Sequence, residues 1–164
     1  MLALESFIRR KPAAIRDDSE AGVFEGAAAL TLDDKGRLSM PARHRETLVA
    51  QCDGRITLTR HPDRCLVVYP RPVWEAKRAE LAQMPFEARE WVRIIVGSAR
   101  SLELDSAGRL LIPAELRAVA GLERDVVLIG LENRLEVWDA AARAEQERAA
   151  LAAGVPEAFK RFIF

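Results

Sequence analysis

Residues 30–45 read LTLDDKGRLSMPARHR, and residues 102–117 read LELDSAGRLLIPAELR. The second stretch repeats the first 72 positions later without a gap. Leu30/Leu102, Leu32/Leu104, Asp33/Asp105, Gly36/Gly108, Arg37/Arg109, Leu38/Leu110, Pro41/Pro113, Ala42/Ala114 and Arg45/Arg117 are identical pairs. An internal repeat of this density means one supersecondary unit used twice. The flanks Leu30-Thr31-Leu32 and Leu102-Glu103-Leu104 alternate as half-buried strands do. In Asp-x-x-Gly-Arg, aspartate can bond the backbone two residues on, and glycine supplies positive φ, so the spacing predicts a tight reversal. Residues 37–40 and 109–112 resume a strand. Pro41 and Pro113 then stand where a helix opens, because proline's φ is already helical and its missing N–H would have no partner there. Each unit reads as strand, tight turn, strand, helix.

Outward from the repeat, the first helix is expected from about Pro41 to Val49. Ile56–Thr59 and Cys65–Tyr69, separated by His61-Pro62-Asp63, read as a β-hairpin. Helices follow at Val73–Met84 and Phe86–Val96, the second closed by Gly97. The second unit predicts strands at Ala99–Asp105 and Arg109–Ile112, a helix at Pro113–Ala120 closed by Gly121, and a hairpin from Val126–Leu131 and Leu135–Trp138. Ala140–Ala153 is a last helix, and the tail carries Phe159, Phe162 and Phe164, which are expected to dock on the body. The expected divisions are a poorly ordered extension at 1–22, units at 23–70 and 98–139, connecting helices at 71–97, and a C-terminal helix and tail at 140–164. The fold class is α+β, mainly β with short helices.

The 164 residues carry 25 basic and 25 acidic side chains. Nucleic-acid binding therefore has no basic excess to announce it and must rest on where the arginines sit. No apolar run approaches the roughly 20 residues of a membrane span. The N-terminal cations accompany no secretory apolar core. Cys52 and Cys65 are too few for a disulfide framework. His44, Cys52, His61 and Cys65 could be drawn as a zinc set, but they lack closely paired ligands, and surface histidines with half-buried cysteines are the favoured reading. No nucleophile elbow, phosphate loop or dinucleotide fingerprint is present, so an enzyme is not expected, nor a cofactor, metal or small-molecule substrate.

What recurs is a cation beside a tight turn. Arg37 and Arg109 follow the glycine, and Lys35 precedes it in the first unit. Arg43 and Arg45 lie a helical turn further on. A two-stranded element carrying arginine can enter the major groove and bond both acceptors of a guanine edge. Taken on the residues alone, Arg37 pairing with Asp33 or bracing a strand stands slightly ahead of DNA contact. Arg43 and Arg45 divide evenly between a solvated helix face and DNA. Asp33, Gly36, Asp105 and Gly108 are read as structuring the turns, since an acid facing phosphates would repel them. Tyr69, Trp74, Trp91 and Trp138 are read as core.

Two copies of Thr/Glu-Leu-Asp-x-x-Gly-Arg-Leu-x-x-Pro, each followed by a short helix and a hairpin, resemble the MraZ family. These are bacterial transcriptional regulators built from two AbrB-like, SpoVT-like units. The likeness runs from about Phe24 to Leu151 and is closest over Leu104–Trp138. It implies two pseudo-symmetric β-α-β swapped-hairpin units in a barrel-like domain, and a closed ring of identical subunits. It also implies binding to tandem short repeats in double-stranded promoter DNA of the division and cell-wall gene cluster. Regulation of that cluster follows, with repression the expected sense, and the protein is expected in the cytoplasm on the nucleoid. The family's motif arginines map onto Arg37 and Arg109. The sequence departs from the family at 1–22, at Ala27-Ala28-Ala29, and at Asp34. That extra acid leaves the basic character of the first turn to Lys35, Arg37, Arg43 and Arg45. An antitoxin-like or assembly module gripping a protein partner through Ala140–Leu151 and the aromatic tail is the second reading.

Overall fold

The computed structural model describes residues 22–163. All but the last residue of the N-terminal extension, and Phe164 of the tail, lie outside the described residues. The chain is α+β and mainly antiparallel sheet. Its strands are β1 (Phe24–Thr31), β2 (Arg37–Ser39), β3 (Arg55–Arg60), β4 (Leu66–Pro70), β5 (Arg100–Glu103), β6 (Arg109–Leu111), β7 (Asp125–Glu132) and β8 (Arg134–Asp139). Its helices are α1 (Ala42–Cys52), α2 (Arg71–Leu81), α3 (Arg89–Ser98), α4 (Ala114–Val119), α5 (Ala140–Ala153) and α6 (Glu157–Ile163). A short 3-10 turn, Phe86–Ala88, precedes α3.

The two expected hairpins form as β3–β4 and β7–β8. The strands around the repeated turns do something else. β1 does not pair with β2; it lies antiparallel on β7 over its whole length, from Phe24 opposite Glu132 to Thr31 opposite Asp125. β5 likewise joins β3 of the other repeat. The main sheet runs β1-β7-β8-β4-β3-β5, so each repeat's first strand completes the other repeat's hairpin. β2 and β6 form a separate two-stranded ribbon, Arg37 opposite Leu111, Leu38 opposite Leu110 and Ser39 opposite Arg109. The expectation of a self-contained strand-turn-strand is corrected. A three-residue strand has one inward side chain, and crosswise pairing puts Leu38 and Leu110 side by side, both fully buried.

That pair belongs to a core shared by both repeats, with Phe24, Met40, Leu48, Ile56, Leu58, Ile112, Leu116, Leu128, Leu135 and Val137. Neither half encloses enough apolar surface alone, and the exchange of strands removes the need. Pro41 and Pro113 are the residues immediately before α1 and α4, with φ of −53° and −54°. Gly121 follows α4 at φ +60°, as expected. Gly97 does not end α3, which continues to Ser98 and leaves into an extended Ala99.

Three side-chain expectations are also corrected. Trp74 and Trp138 are buried and Tyr69 half-buried, but Trp91 is 49% exposed. Helix α3 lies against β3, where the Ile95 carbonyl accepts from the Thr59 hydroxyl, but Trp91, one turn earlier, is left largely uncovered among the described residues. His44 is not on the surface: it is buried with its ring 5.7 Å from Phe24. Burial, with the Arg43 charge beside it, pushes the His44 imidazole below its ordinary pKa. Phe159 and Phe162 stack on each other and stay exposed rather than docking on the body.

Candidate nucleic-acid interface

Each repeated turn is closed by its own aspartate. Asp33 N–H donates to the Arg37 carbonyl at 3.0 Å, and Gly36 N–H to the Asp33 carbonyl at 2.9 Å. The Asp33 carboxylate accepts from the backbone N–H of Lys35 (3.0 Å) and of Arg37 (2.9 Å). The second turn repeats this with Asp105, Ala107 and Arg109 at 2.9 and 2.8 Å. Gly36 and Gly108 take φ of +78° and +74°, where an L side chain is strained.

The same carboxylates hold the arginines. Arg37 Nε donates to Asp33 Oδ2 at 2.5 Å, and Arg109 Nε to Asp105 Oδ2 at 2.8 Å. The pairing considered from sequence is therefore present in both units. It does not use up the guanidinium. The Nε edge is tied down, and among the described residues no hydrogen bond engages the terminal nitrogens of Arg37 or Arg109. A guanidinium has five N–H donors, and the pair that recognises a guanine edge lies on the remaining side. Aspartate here aims the cation, and the half-exposed side chain is already ordered.

The ribbon brings the two arginines together. Directly opposed residues of an antiparallel pair share a face. Leu38 and Leu110 point into the core, so Arg37, Ser39, Arg109 and Leu111 share the outward face, where Ser39 and Leu111 are exposed. The offset of two residues sets the arginines roughly 7 Å apart along the ribbon. Lys35 stands exposed at one end of it; its counterpart at the other end is Ala107. The two arginines thus stand on one composite ribbon rather than on two separate arginine-tipped hairpins.

Arg43 and Arg45 fall elsewhere. Arg43 Nη2 donates to the Glu25 carbonyl at 2.8 Å, bracing β1 beside Gly26. Arg45 lies over the second turn: a Cβ on Gly108 would come within 2.4 Å of its Cδ. Arg117, the repeat mate of Arg45, lies over the first turn, and a Cβ on Gly36 would meet its Cζ and Nε at 2.6 Å. Each helix arginine thus clamps the opposite repeat's glycine. Arg117 was not among the candidate site residues, although its identity with Arg45 was the available signal.

The backbone N–H of Arg37 is the chief influence on the Asp33 carboxyl and, with the Arg37 side chain and Lys35 N–H, holds it below the usual carboxylate range against partial desolvation. Asp105 is lowered in the same way by Arg109. A depressed folded pKa stabilises the turn above the ordinary value of about 3.9, and that contribution is lost as pH falls through the lower folded value. Carboxyl NMR titration is expected to show both aspartates with midpoints below the ordinary aspartate value. Midpoints at or above the ordinary value would contradict this geometry.

The chain matches a family model described as "MraZ protein, putative antitoxin-like" over residues 23–93 and again over 95–162. It is similar to a transcriptional regulator MraZ of Ralstonia pickettii (strain 12J), 56% identical over 142 residues, which is 87% of this chain and 100% of that protein. The proteins of the same name from Herminiimonas arsenicoxydans and Burkholderia mallei (strain SAVP1) are 54% and 52% identical over the same shares.

Proposed function

This chain belongs to the MraZ family, and from that membership we propose that it is a DNA-binding transcriptional regulator whose reading surface is the outward face of the β2–β6 ribbon. The observation that carries this is the convergence of Arg37 and Arg109 on one solvent-facing side, each aimed by its own aspartate. A two-stranded ribbon fits the major groove. The roughly 7 Å between the arginines spans about two base steps of 3.4 Å. Lys35 extends the cationic end toward a phosphate.

One ribbon with two arginines on a chain of zero net charge binds weakly. We therefore assign the working form to a closed ring of identical subunits on tandem repeats in the promoter of the division and cell-wall gene cluster, repressing it from the nucleoid. Engaging a second repeat becomes intramolecular, and avidity rises by roughly 100-fold when the spacing fits. Self-association is supported by Met84, Phe86 and Trp91, which leave about half or more of their surface exposed on and before α3. Exposed apolar patches of this kind mark contact surfaces.

A salt titration on the chain's own upstream DNA tests the proposal. Affinity should fall steeply as salt rises, because phosphate contacts release counterions. No gel shift even at low salt would sink it. Arg109→Ala is expected to weaken binding while the assembly elutes unchanged from a sizing column; a smaller assembly would assign Arg109 to a subunit interface instead.

The antitoxin-like reading has one favouring observation. α5 and α6 expose Leu151, Phe159, Phe162 and Ile163. Recovery of a toxin-like protein on the full chain, with no DNA shift at low salt, would put that reading first.

A further inference from the structure

The hairpin turn after β3 brings together residues that the DNA reading does not use. His61, Cys65 and Glu136 each place one donor atom within 4.8 Å of the others. Cys65 and Glu136 are almost wholly buried, and His61 closes the β3–β4 turn through His61 N–H to the Cys65 carbonyl at 3.0 Å. Val67 stands opposite Glu136 and Leu66 opposite Val137. Cys65 and Glu136 therefore face the same side of the sheet, away from the shared core. Helix α5 lies near this side: Arg143 sits 5.6 Å from the Trp138 ring, and Gln146 Nε2 reaches the Asp63 carbonyl at 3.5 Å.

The polar bookkeeping of this pocket does not close within the protein. Trp138 Nε1 donates to Glu136 Oε2 at 2.9 Å. Glu136 Oε1 accepts no hydrogen bond among the described residues; Arg134 Nε stands 3.6 Å away, too far to donate. Arg134 Nε is itself buried without a partner. The Glu136 carboxylate is thus held by one hydrogen bond and a loose ion pair, with the buried Cys65 thiol beside it. A metal cation bonded to both would replace that loose pair with direct bonds.

We propose that His61, Cys65 and Glu136 form a binding site for a borderline divalent metal of the zinc type. A thiolate, an imidazole and a carboxylate are a donor set that suits zinc and disfavours magnesium or calcium. Zinc bonds of about 2.0–2.3 Å place tetrahedral donors roughly 3.5 Å apart, so the set closes by about an ångström through side-chain rotation. Binding releases the Cys65 thiol proton to solvent as the sulfur–metal bond forms. For His61 to ligate through Nε2, the ring proton moves to Nδ1, which then donates to the Asp63 carboxylate 3.5 Å away instead of accepting from Asp63 N–H at 3.1 Å, and a water takes the fourth position. Arg134 is the group the metal displaces from Glu136. The site ties β4 of the first repeat to β8 of the second, at the centre of the sheet where the repeats join. The two remaining members of the sequence-derived zinc set, His44 and Cys52, are buried in other parts of the fold.

The test is Co²⁺ titration of the full chain after chelator treatment. One equivalent should produce a thiolate-to-cobalt charge-transfer band and tetrahedral visible bands, both abolished by Zn²⁺. Cys65→Ser should remove the charge-transfer band and Cys52→Ser should keep it. His61→Ala, at a partly exposed turn that leaves folding intact by circular dichroism, should lower Co²⁺ affinity by roughly tenfold or more. It decides the matter if Cys65→Ser does not fold. A folded wild-type chain that gives no charge-transfer band at one equivalent, or a Co²⁺ affinity that His61→Ala leaves unchanged, overturns the assignment.

Discussion

Arg37→Ala is expected to reduce affinity for the chain's own upstream DNA by roughly 100-fold or more, since one bidentate arginine–guanine contact contributes about 1–3 kcal/mol and is lost from every engaged copy. The assembly should be unchanged by light scattering. The variant removes a cation from the ribbon's outward face and leaves Leu38 and the Asp33–backbone bonds in place. Asp33 would lose the guanidinium but keep the N–H donors of residues 35 and 37, so the turn persists. A gel-shift midpoint equal to wild type would take Arg37 out of the mechanism. Arg37→Lys separates charge from shape: it keeps the charge but cannot make the two-pronged contact, so it should fall much nearer to alanine than to wild type.

Leu38→Ala is expected to destabilise the fold by about 2–5 kcal/mol, and Leu110→Ala by a similar amount, because both side chains are fully buried in the shared core. The informative quantity is the pair. Leu38 and Leu110 face each other across the ribbon although they come from different repeats. The double variant should therefore cost less than the sum of the single ones, by roughly 0.5 kcal/mol or more, as for residues in contact. Strict additivity in chemical denaturation would mean that Leu38 and Leu110 do not pack on each other across the β2–β6 ribbon in solution. Destabilisation here should also weaken DNA binding, since the ribbon is what sets Arg37 and Arg109 side by side.

The parts of this arrangement that local chemistry controls were legible in the sequence. Glycine after a short Asp-led segment meant positive φ at 36 and 108, and proline meant a helix start at 42 and 114. Two-residue alternation showed which side of each strand is apolar. It does not show which strand lies alongside, so the exchange of β1 and β5 between repeats followed only from the family resemblance. The arginines divide along the same line. Arg37 and Arg109 bond an aspartate four residues away, a distance that spacing reveals. Arg43 reaches a carbonyl 18 positions earlier, and Arg45 and Arg117 cross to the other repeat's turn. Trp91 misled because helical period identifies a common side without saying whether anything covers it. His61 and Cys65 share a turn, but Glu136 reaches them only through β4–β8 pairing, which no short-range pattern encodes.

On the proposed function, paired arginines on a ribbon shared by both repeats read DNA in several copies at once. The decisive measurement is footprinting of the chain's own upstream DNA, with wild type and Arg37→Ala side by side. Evenly spaced protected repeats are expected for the wild type, and none for the variant at the same concentration. Identical protection by both proteins, or a single protected site without repeats, would contradict it.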